Sequence, residues 1–167
     1  APADDDISSP RILALKYGHH HHLPPVLGRR LLRPTAALNA PADAALLPVP
    51  LHNQRLKARR FNQSAVIASS LARLKGMPTA RRVLKRSKAT PPQQGRTRAE
   101  RRRNLSGAVA ASQAVEGRAF ILVDDVLTSG ATLIACARAL RQKGARWGGA
   151  VTVARVLPTA QINAAHG

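Results

Sequence analysis

The chain has 167 residues, of which 27 are Lys or Arg and 8 are Asp or Glu, so its formal net charge is +19. Because 44% of the residues are hydrophobic, the chain can bury a core, which excludes disorder over its full length. A single cysteine, Cys136, excludes an intramolecular disulfide framework and a cysteine-rich zinc site. We find no apolar run of membrane-spanning length and no signal peptide, so we expect a cytoplasmic protein with no membrane partner.

The first 43 residues predict two short helices and a loop. Ser9 and Pro10 are typical of a helix start, with serine as the cap and proline in the first turn. A second helix is expected from Pro24 to about Pro34, where the proline should end it. Residues 34–43 then predict a loop.

The next part of the chain alternates between strand and helix signals. The apolar run at residues 44–50 predicts a buried strand that prolines close. Asn62 can cap the following helix, whose apolar Ile67, Leu71 and Leu74 recur on one face until Gly76 ends it. After this helix we expect a charged strand at 81–86, an exposed loop at 87–98 and a helical turn at 99–105.

The most apolar strand signal lies at residues 120–123. After it we expect a turn, then a helix with Leu133, Ala137 and Leu140 on one face, and then a strand at 149–156. Strand, helix and strand in this order form a βαβ unit, so the predicted fold class is α/β with a mostly parallel sheet flanked by helices. The expected division is an N-terminal helical segment (1–43), a core (44–157) and a C-terminal tail (158–167).

The positive charge is concentrated in the middle of the chain. Between Arg55 and Arg103 there are 16 Lys or Arg residues and one acid, Glu100. Such a segment favours an anionic partner, either nucleic acid or a small polyphosphate, although a solvated basic surface is the alternative. Phe61 is the only aromatic residue in the segment, which disfavours dedicated binding of single strands by base stacking.

Residues 121–132 combine an apolar strand, two acids and a turn of small and hydroxyl residues. In open parallel sheets, ligands bind at the carboxyl ends of strands, where Asp124 and Asp125 are expected. The turn can present backbone amides and hydroxyls to one phosphate at the start of a helix. Because carboxylates repel phosphate, the pattern indicates a ligand that carries hydroxyl groups or a metal ion between the acids and the phosphate, and a ribose 5-phosphate provides such hydroxyls. The expected phosphate-binding residues are Thr128, Ser129, Gly130, Ala131 and Thr132.

This segment resembles the signature of type I phosphoribosyltransferases, which bind phosphoribosyl pyrophosphate (PRPP). The likeness extends to the ComF family, whose PVPL and RGFNQ blocks match residues 48–51 and 59–63, with Arg60 in place of the glycine. Left-handed backbone at that position would be unfavourable for arginine. Further ComF-like blocks, in chain order, are Leu15–Gly18, Thr90–Gln93, Glu100–Asn104 and Ala154-Arg155.

The resemblance implies transfer at the anomeric carbon of PRPP. Asp124 and Asp125 would be the catalytic pair that binds the ribose hydroxyls, and Mg²⁺ would bridge oxygens of the substrate rather than occupy a protein metal site. The arginines that would bind pyrophosphate are Arg59, Arg60 and Arg101.

Two other functions stay open at this point. The first is a non-catalytic module that binds single-stranded or double-stranded DNA through residues 55–103, since ComF proteins are linked by name to competence. The second is a regulator that binds a nucleotide without turnover. The sequence identifies neither the acceptor nor the oligomeric state, and a homodimer is one option.

Overall fold

The structure is a computed structural model that describes residues 23–51, 61–86 and 108–155. The predicted helix at Ser9, the loop at 87–98 and the turn at 99–105 lie outside these ranges. In the described ranges no helix is long and apolar enough to cross a membrane. The elements are α1 (Leu23–Arg30), α2 (Leu32–Ala37), β1 (Ala45–Pro48), α3 (Gln63–Lys75), β2 (Leu84–Arg86), β3 (Val109–Ala111), a 3₁₀ turn (Gln113–Val115), β4 (Ala119–Leu127), α4 (Ala131–Gln142) and β5 (Trp147–Arg155).

The central sheet has three parallel strands in the order β1-β4-β5. The predicted α/β class with a parallel sheet is therefore confirmed. β2 and β3 form a separate antiparallel pair in which Leu84 lies opposite Ala111. The sequence does not predict β3, because only Val109 among its three residues is β-branched and the other two are alanines.

Both faces of β4 are buried, and alternate residues serve each face. Ile121 and Val123 pack in one cluster with Ile67 and Leu71 of α3. The α1 residue Leu27 belongs to the same cluster, so the N-terminal helix is part of this core. On the opposite face, the second cluster joins β4 to α4 through Phe120, Leu122, Cys136 and Leu140. The period of two along a strand thus places one helix on each side of the sheet.

Three local predictions were wrong. Residues 34–37 are helical rather than loop, because Pro34 is the third residue of α2, where a missing N–H leaves no intrahelical bond unmade. The buried face of α3 runs through Ile67, Ala68 and Leu71, which leaves Leu74 44% exposed. In α4 the buried face includes Cys136 and Leu140 but not Ala137, which is exposed.

Candidate functional site

The acid pair lies where the three parallel strands approach their carboxyl ends. β1 ends at Pro48, opposite Val123, so Asp124 and Asp125 lie just past the end of β1. β4 itself continues to Leu127, because β5 pairs with it up to that residue. The strand is therefore longer than the predicted 120–123, and the two acids belong to it.

Hydrogen bonds hold both carboxylates. The Asp124 Oδ1 atom accepts from the Ser64 hydroxyl at 2.9 Å and from the Asp125 backbone N–H at 2.9 Å. The Asp125 Oδ1 atom accepts from the Val126 N–H at 2.8 Å. In the described part of the chain no backbone N–H or hydroxyl donates to the second oxygen of either carboxylate, and the Asp125 carboxyl lies close enough to Asp124 for a side-chain hydrogen bond that raises the pKa of Asp124.

Burial sets the electrostatics of the pair. Desolvation, together with the negative charge of Asp125, raises the pKa of Asp124 from 3.8 to about 7. Hydrogen bonds from Ser64 and from the Asp125 amide act in the opposite direction. Burial and the nearby Asp124 raise the pKa of the Cys136 thiol to about 12, so this cysteine is a neutral core residue.

The turn after β4 has the backbone of an anion site. Gly130 caps α4 in the left-handed region, at φ 72°, a conformation that glycine adopts without strain. The Ala131 N–H has a long contact of 3.4 Å with the Ser129 hydroxyl. Thr132 and Leu133 begin the helix, so their N–H groups have no intrahelical acceptor. The first turn of α4 contains no acid that would compete with an anion.

The structure brings some of the predicted site residues together. Asp124 and Asp125 lie near the end of β4, and residues 128–132 follow it as the connection to α4 and the first residues of that helix. Arg59, Arg60 and Arg101 lie outside the described residues, so their role in binding pyrophosphate stays a prediction. The expectation that left-handed backbone would be unfavourable at Arg60 also stays a prediction.

One residue at the site was missed. Ser64 contacts Asp124 although 60 residues separate them. The predicted cap is confirmed, since the Asn62 side chain accepts from the Ser64 N–H at 3.1 Å. The capping pattern was the available signal for this helix start, but nothing in it connects the Ser64 hydroxyl with β4.

Comparisons with known proteins agree with this architecture. Residues 62–161 match the model of the family described as phosphoribosyl transferase domain. The Escherichia coli (strain K12) protein named DNA utilization protein YhgH is 33% identical over 143 residues, which are 82% of this chain and 62% of the relative. Competence protein F of Haemophilus influenzae is 37% identical over 105 residues, which are 60% of this chain and 45% of the relative. The chain thus spans about half of the length of these relatives.

A solved structure shares the fold. It is the glutamine PRPP amidotransferase from B. subtilis complexed with ADP and GMP, with a TM-score of 0.50 and 20% identity, over 78% of this chain and 26% of that one. At this identity the likeness concerns the fold alone. Together with the matched family model and the ComF-like blocks, it leads to one conclusion: the chain belongs to the phosphoribosyl transferase domain family and is a ComF-type member of it.

Proposed function

We propose that the chain binds PRPP, or another ligand that contains ribose 5-phosphate, and acts as a phosphoribosyltransferase. The observation that carries the proposal lies at the carboxyl edge of the parallel sheet. There the last residues of β4 supply two carboxylates, and the turn that follows leads into the open N-terminus of α4. This edge is where open α/β sheets bind ligands. The family assignment supports the same ligand class.

The 5-phosphate would bind at the start of α4. There the free N–H groups of Thr132 and Leu133 and the positive end of the helix dipole favour an anion. Hydroxyl groups of Thr128 and Ser129 can add hydrogen bonds, and the left-handed backbone of Gly130 forms the turn without strain.

The ribose hydroxyls would bind to the acid pair. Each carboxylate has one oxygen that accepts from the protein and a second to which no backbone N–H or hydroxyl among the described residues donates. Ligand hydroxyls can donate to those oxygens, which would partly replace the lost hydration of Asp124. A hydroxyl-bearing ligand would therefore stabilise the ionised form of Asp124.

A divalent cation is compatible with this donor set. In the described ranges no cluster of three or more His, Cys, Asp or Glu side chains forms a metal site. Mg²⁺ commonly uses substrate phosphates and water with few protein ligands. We therefore propose that oxygens of the ligand would hold Mg²⁺, which would neutralise charge on the pyrophosphate.

The reaction would then depend on positioning rather than on covalent catalysis. The bond between C1 of the ribose and the pyrophosphate oxygen breaks, pyrophosphate leaves with the electron pair, and an acceptor nucleophile bonds to C1. The carboxylates of Asp124 and Asp125 would orient the ribose and stabilise positive charge that develops on the ring.

Titration calorimetry and thermal unfolding with PRPP test the proposal. A ligand that binds only the folded state at 100 times its dissociation constant stabilises the protein by about 2.7 kcal/mol. For a domain of this size we expect a rise in Tm of roughly 5–10 °C. Inorganic phosphate and free ribose serve as controls and should bind much more weakly. If PRPP with Mg²⁺ gives no heat and no shift, or if Asp124→Asn/Asp125→Asn binds it equally well, the proposal fails.

DNA binding is the second candidate function, and one observation favours it. In the described part of the 55–103 segment, five basic side chains are exposed and none forms an ion pair with a described acid. The names of the relatives, which refer to DNA utilization and to competence, point to the same partner. The five residues are Arg73, Lys75, Arg81, Arg82 and Lys85.

Salt-dependent DNA affinity tests this second function. If Arg73, Arg82 and Lys85 each contact a phosphate of duplex DNA, changing all three to Gln should make the dependence of the association constant on salt less steep. The slope of log K against log salt should become less negative by about 3. The matched control changes Arg138, Arg141 and Lys143 of the α4 region to Gln, which removes the same charge from exposed positions. Equal losses in both triple variants would show a nonspecific effect of net charge and would exclude a dedicated surface.

A further inference from the structure

A closed series of hydrogen bonds joins β1, α3 and β4 at the acid pair. The Val49 N–H donates to the Val123 carbonyl at 3.0 Å, and the Val49 carbonyl accepts from the Asn62 side-chain amide at 3.0 Å. Asn62 in turn accepts from the Ser64 N–H at 3.1 Å, and the Ser64 hydroxyl donates to Asp124 at 2.9 Å. Since Val123 and Asp124 are adjacent, the series returns to the strand where it began.

Two different groups of Ser64 take part in this series. The backbone N–H serves the helix cap, which a residue of any other type except proline could also provide. The hydroxyl makes no contribution to the cap and bonds to β4 instead. Ser64 is 4% exposed, so without Asp124 its hydroxyl would lack this partner in a buried place. A substitution that removes the Ser64 hydroxyl should therefore break the contact with Asp124 and leave the cap of α3 in place.

The same contact limits the orientation of the Asp124 carboxylate. Both donors, the Ser64 hydroxyl and the Asp125 N–H, reach Oδ1, and they come from different elements. Rotation of the carboxylate about its terminal bond would break both hydrogen bonds. Oδ2 is thereby held as the atom that a ligand can approach.

We propose that Ser64 is the positioning residue that orients Asp124 toward the ribose hydroxyls. This inference rests on the proposed function. It assigns Ser64 no contact with the ligand, because its hydroxyl is already committed to Oδ1. Asn62 holds the start of α3 against β1 and so supports Ser64 indirectly.

The charge balance at Asp124 agrees with this role. The titratable group nearest to it on β4 is Asp125, which raises the pKa of Asp124, and the hydrogen bond from Ser64 lowers it. From α4 the neutral thiol of Cys136 faces Asp124, and Arg86 of β2 acts on that thiol. Without the Ser64 hydroxyl, we expect the pKa of Asp124 to rise further, so that less carboxylate is ionised at neutral pH.

The test compares Ser64→Ala with Ser70→Ala, which removes a buried hydroxyl from the same helix away from the acid pair. We expect Ser64→Ala to weaken Mg²⁺–PRPP binding about tenfold at pH 7, with less weakening at higher pH, while Ser70→Ala binds like the wild type. Ser64→Thr, which keeps a hydroxyl, should recover part of the loss. Equal binding by Ser64→Ala and the wild type, or equal losses in both alanine variants, would overturn the inference.

A carboxyl ¹³C NMR titration without ligand separates this inference from the proposed function. We expect the pKa of Asp124 to be higher in Ser64→Ala than in the wild type and unchanged in Ser70→Ala. Such a shift supports the contact even if the wild type fails to bind PRPP, a result that would overturn only the proposed function. An unchanged pKa in Ser64→Ala would overturn the positioning role.

Discussion

Asp124→Asn is expected to make the protein more stable at pH 8 and to remove most of its affinity for PRPP. Burial and Asp125 raise the pKa of Asp124 to about 7 in the folded protein, against 3.8 in the unfolded chain. The contribution of Asp124 to stability is therefore complete below about pH 4 and is lost as the pH rises through about 7. The loss is about 4 kcal/mol, and asparagine should abolish it because it carries no charge.

The same substitution removes a charged acceptor from the proposed ligand site. A hydrogen bond to a charged group contributes about 1.5–3 kcal/mol, so we expect PRPP affinity to fall at least tenfold. Greater stability with weaker binding is typical of a functional group held in an unfavourable place.

Urea unfolding from pH 4 to pH 9 measures the effect of Asp124→Asn on stability. Subtracting the free energy of unfolding of the wild type from that of the variant at each pH cancels the contributions of groups that both proteins share. Asp43→Asn is the control, because Arg146 lowers the pKa of this exposed carboxyl at the surface; it should change stability little. A difference between Asp124→Asn and wild type that does not vary with pH would show that Asp124 keeps an ordinary pKa.

Gly28→Ala is expected to destabilise the protein, although alanine normally favours a helix over glycine. A Cβ atom at Gly28 would lie 2.5 Å from the Ser70 hydroxyl oxygen, 2.9 Å from the Ser70 Cβ and 3.1 Å from the Leu71 backbone nitrogen. These distances mean that α1 and α3 pack in direct contact at this position. Overpacking of this kind costs about 1–3 kcal/mol, which exceeds the gain of up to about 1 kcal/mol from helix propensity.

A double-mutant cycle that combines Gly28→Ala with Ser70→Gly tests whether close packing against Ser70 causes the loss of stability. Removing the Ser70 side chain frees most of the space that a Cβ at position 28 requires, so Gly28→Ala should be less harmful in that background. We expect a coupling free energy of at least about 1 kcal/mol from urea unfolding. Additive effects would contradict close packing of α1 on α3 and would favour residues 1–43 as a segment separate from the core.

Local sequence patterns predict much of the central fold. The apolar run of β1, the Asn62 cap, the β4 signal at Phe120 and the β5 run all lie where the pattern places them. These signals are hydrophobic periodicity, helix caps and turn residues, and each depends only on residues that are close together in the sequence. The errors at Leu74 and Ala137 have the opposite origin, since the exposure of a helical residue depends on which element lies opposite. The error at Pro34 arose because proline is tolerated in the first turn of a helix.

The turn at residues 128–132, which we propose binds phosphate, could be found in the sequence because its residues and the two acids are contiguous. Two acids, a glycine and hydroxyl residues within nine positions indicate a ribose phosphate without reference to any other part of the chain. Ser64 had no such signal, because its hydroxyl meets Asp124 only when α3 packs against β4. Gly28 also has no signal in the sequence, since its lack of a side chain matters only because α1 packs against Ser70.

The amino-acid sequence alone determined that the chain is an α/β protein of the phosphoribosyl transferase type, and it located the acid pair and the turn that we propose binds phosphate. It could do so because strand periodicity, helix capping and a short ligand motif are local properties. Only the tertiary structure decided how Asp124 is oriented and why its pKa is high. The orientation depends on the Ser64 donor, 60 residues away, and the raised pKa depends first on burial and then on the charge of Asp125; burial and the Ser64 contact arise from packing, which local propensity does not encode.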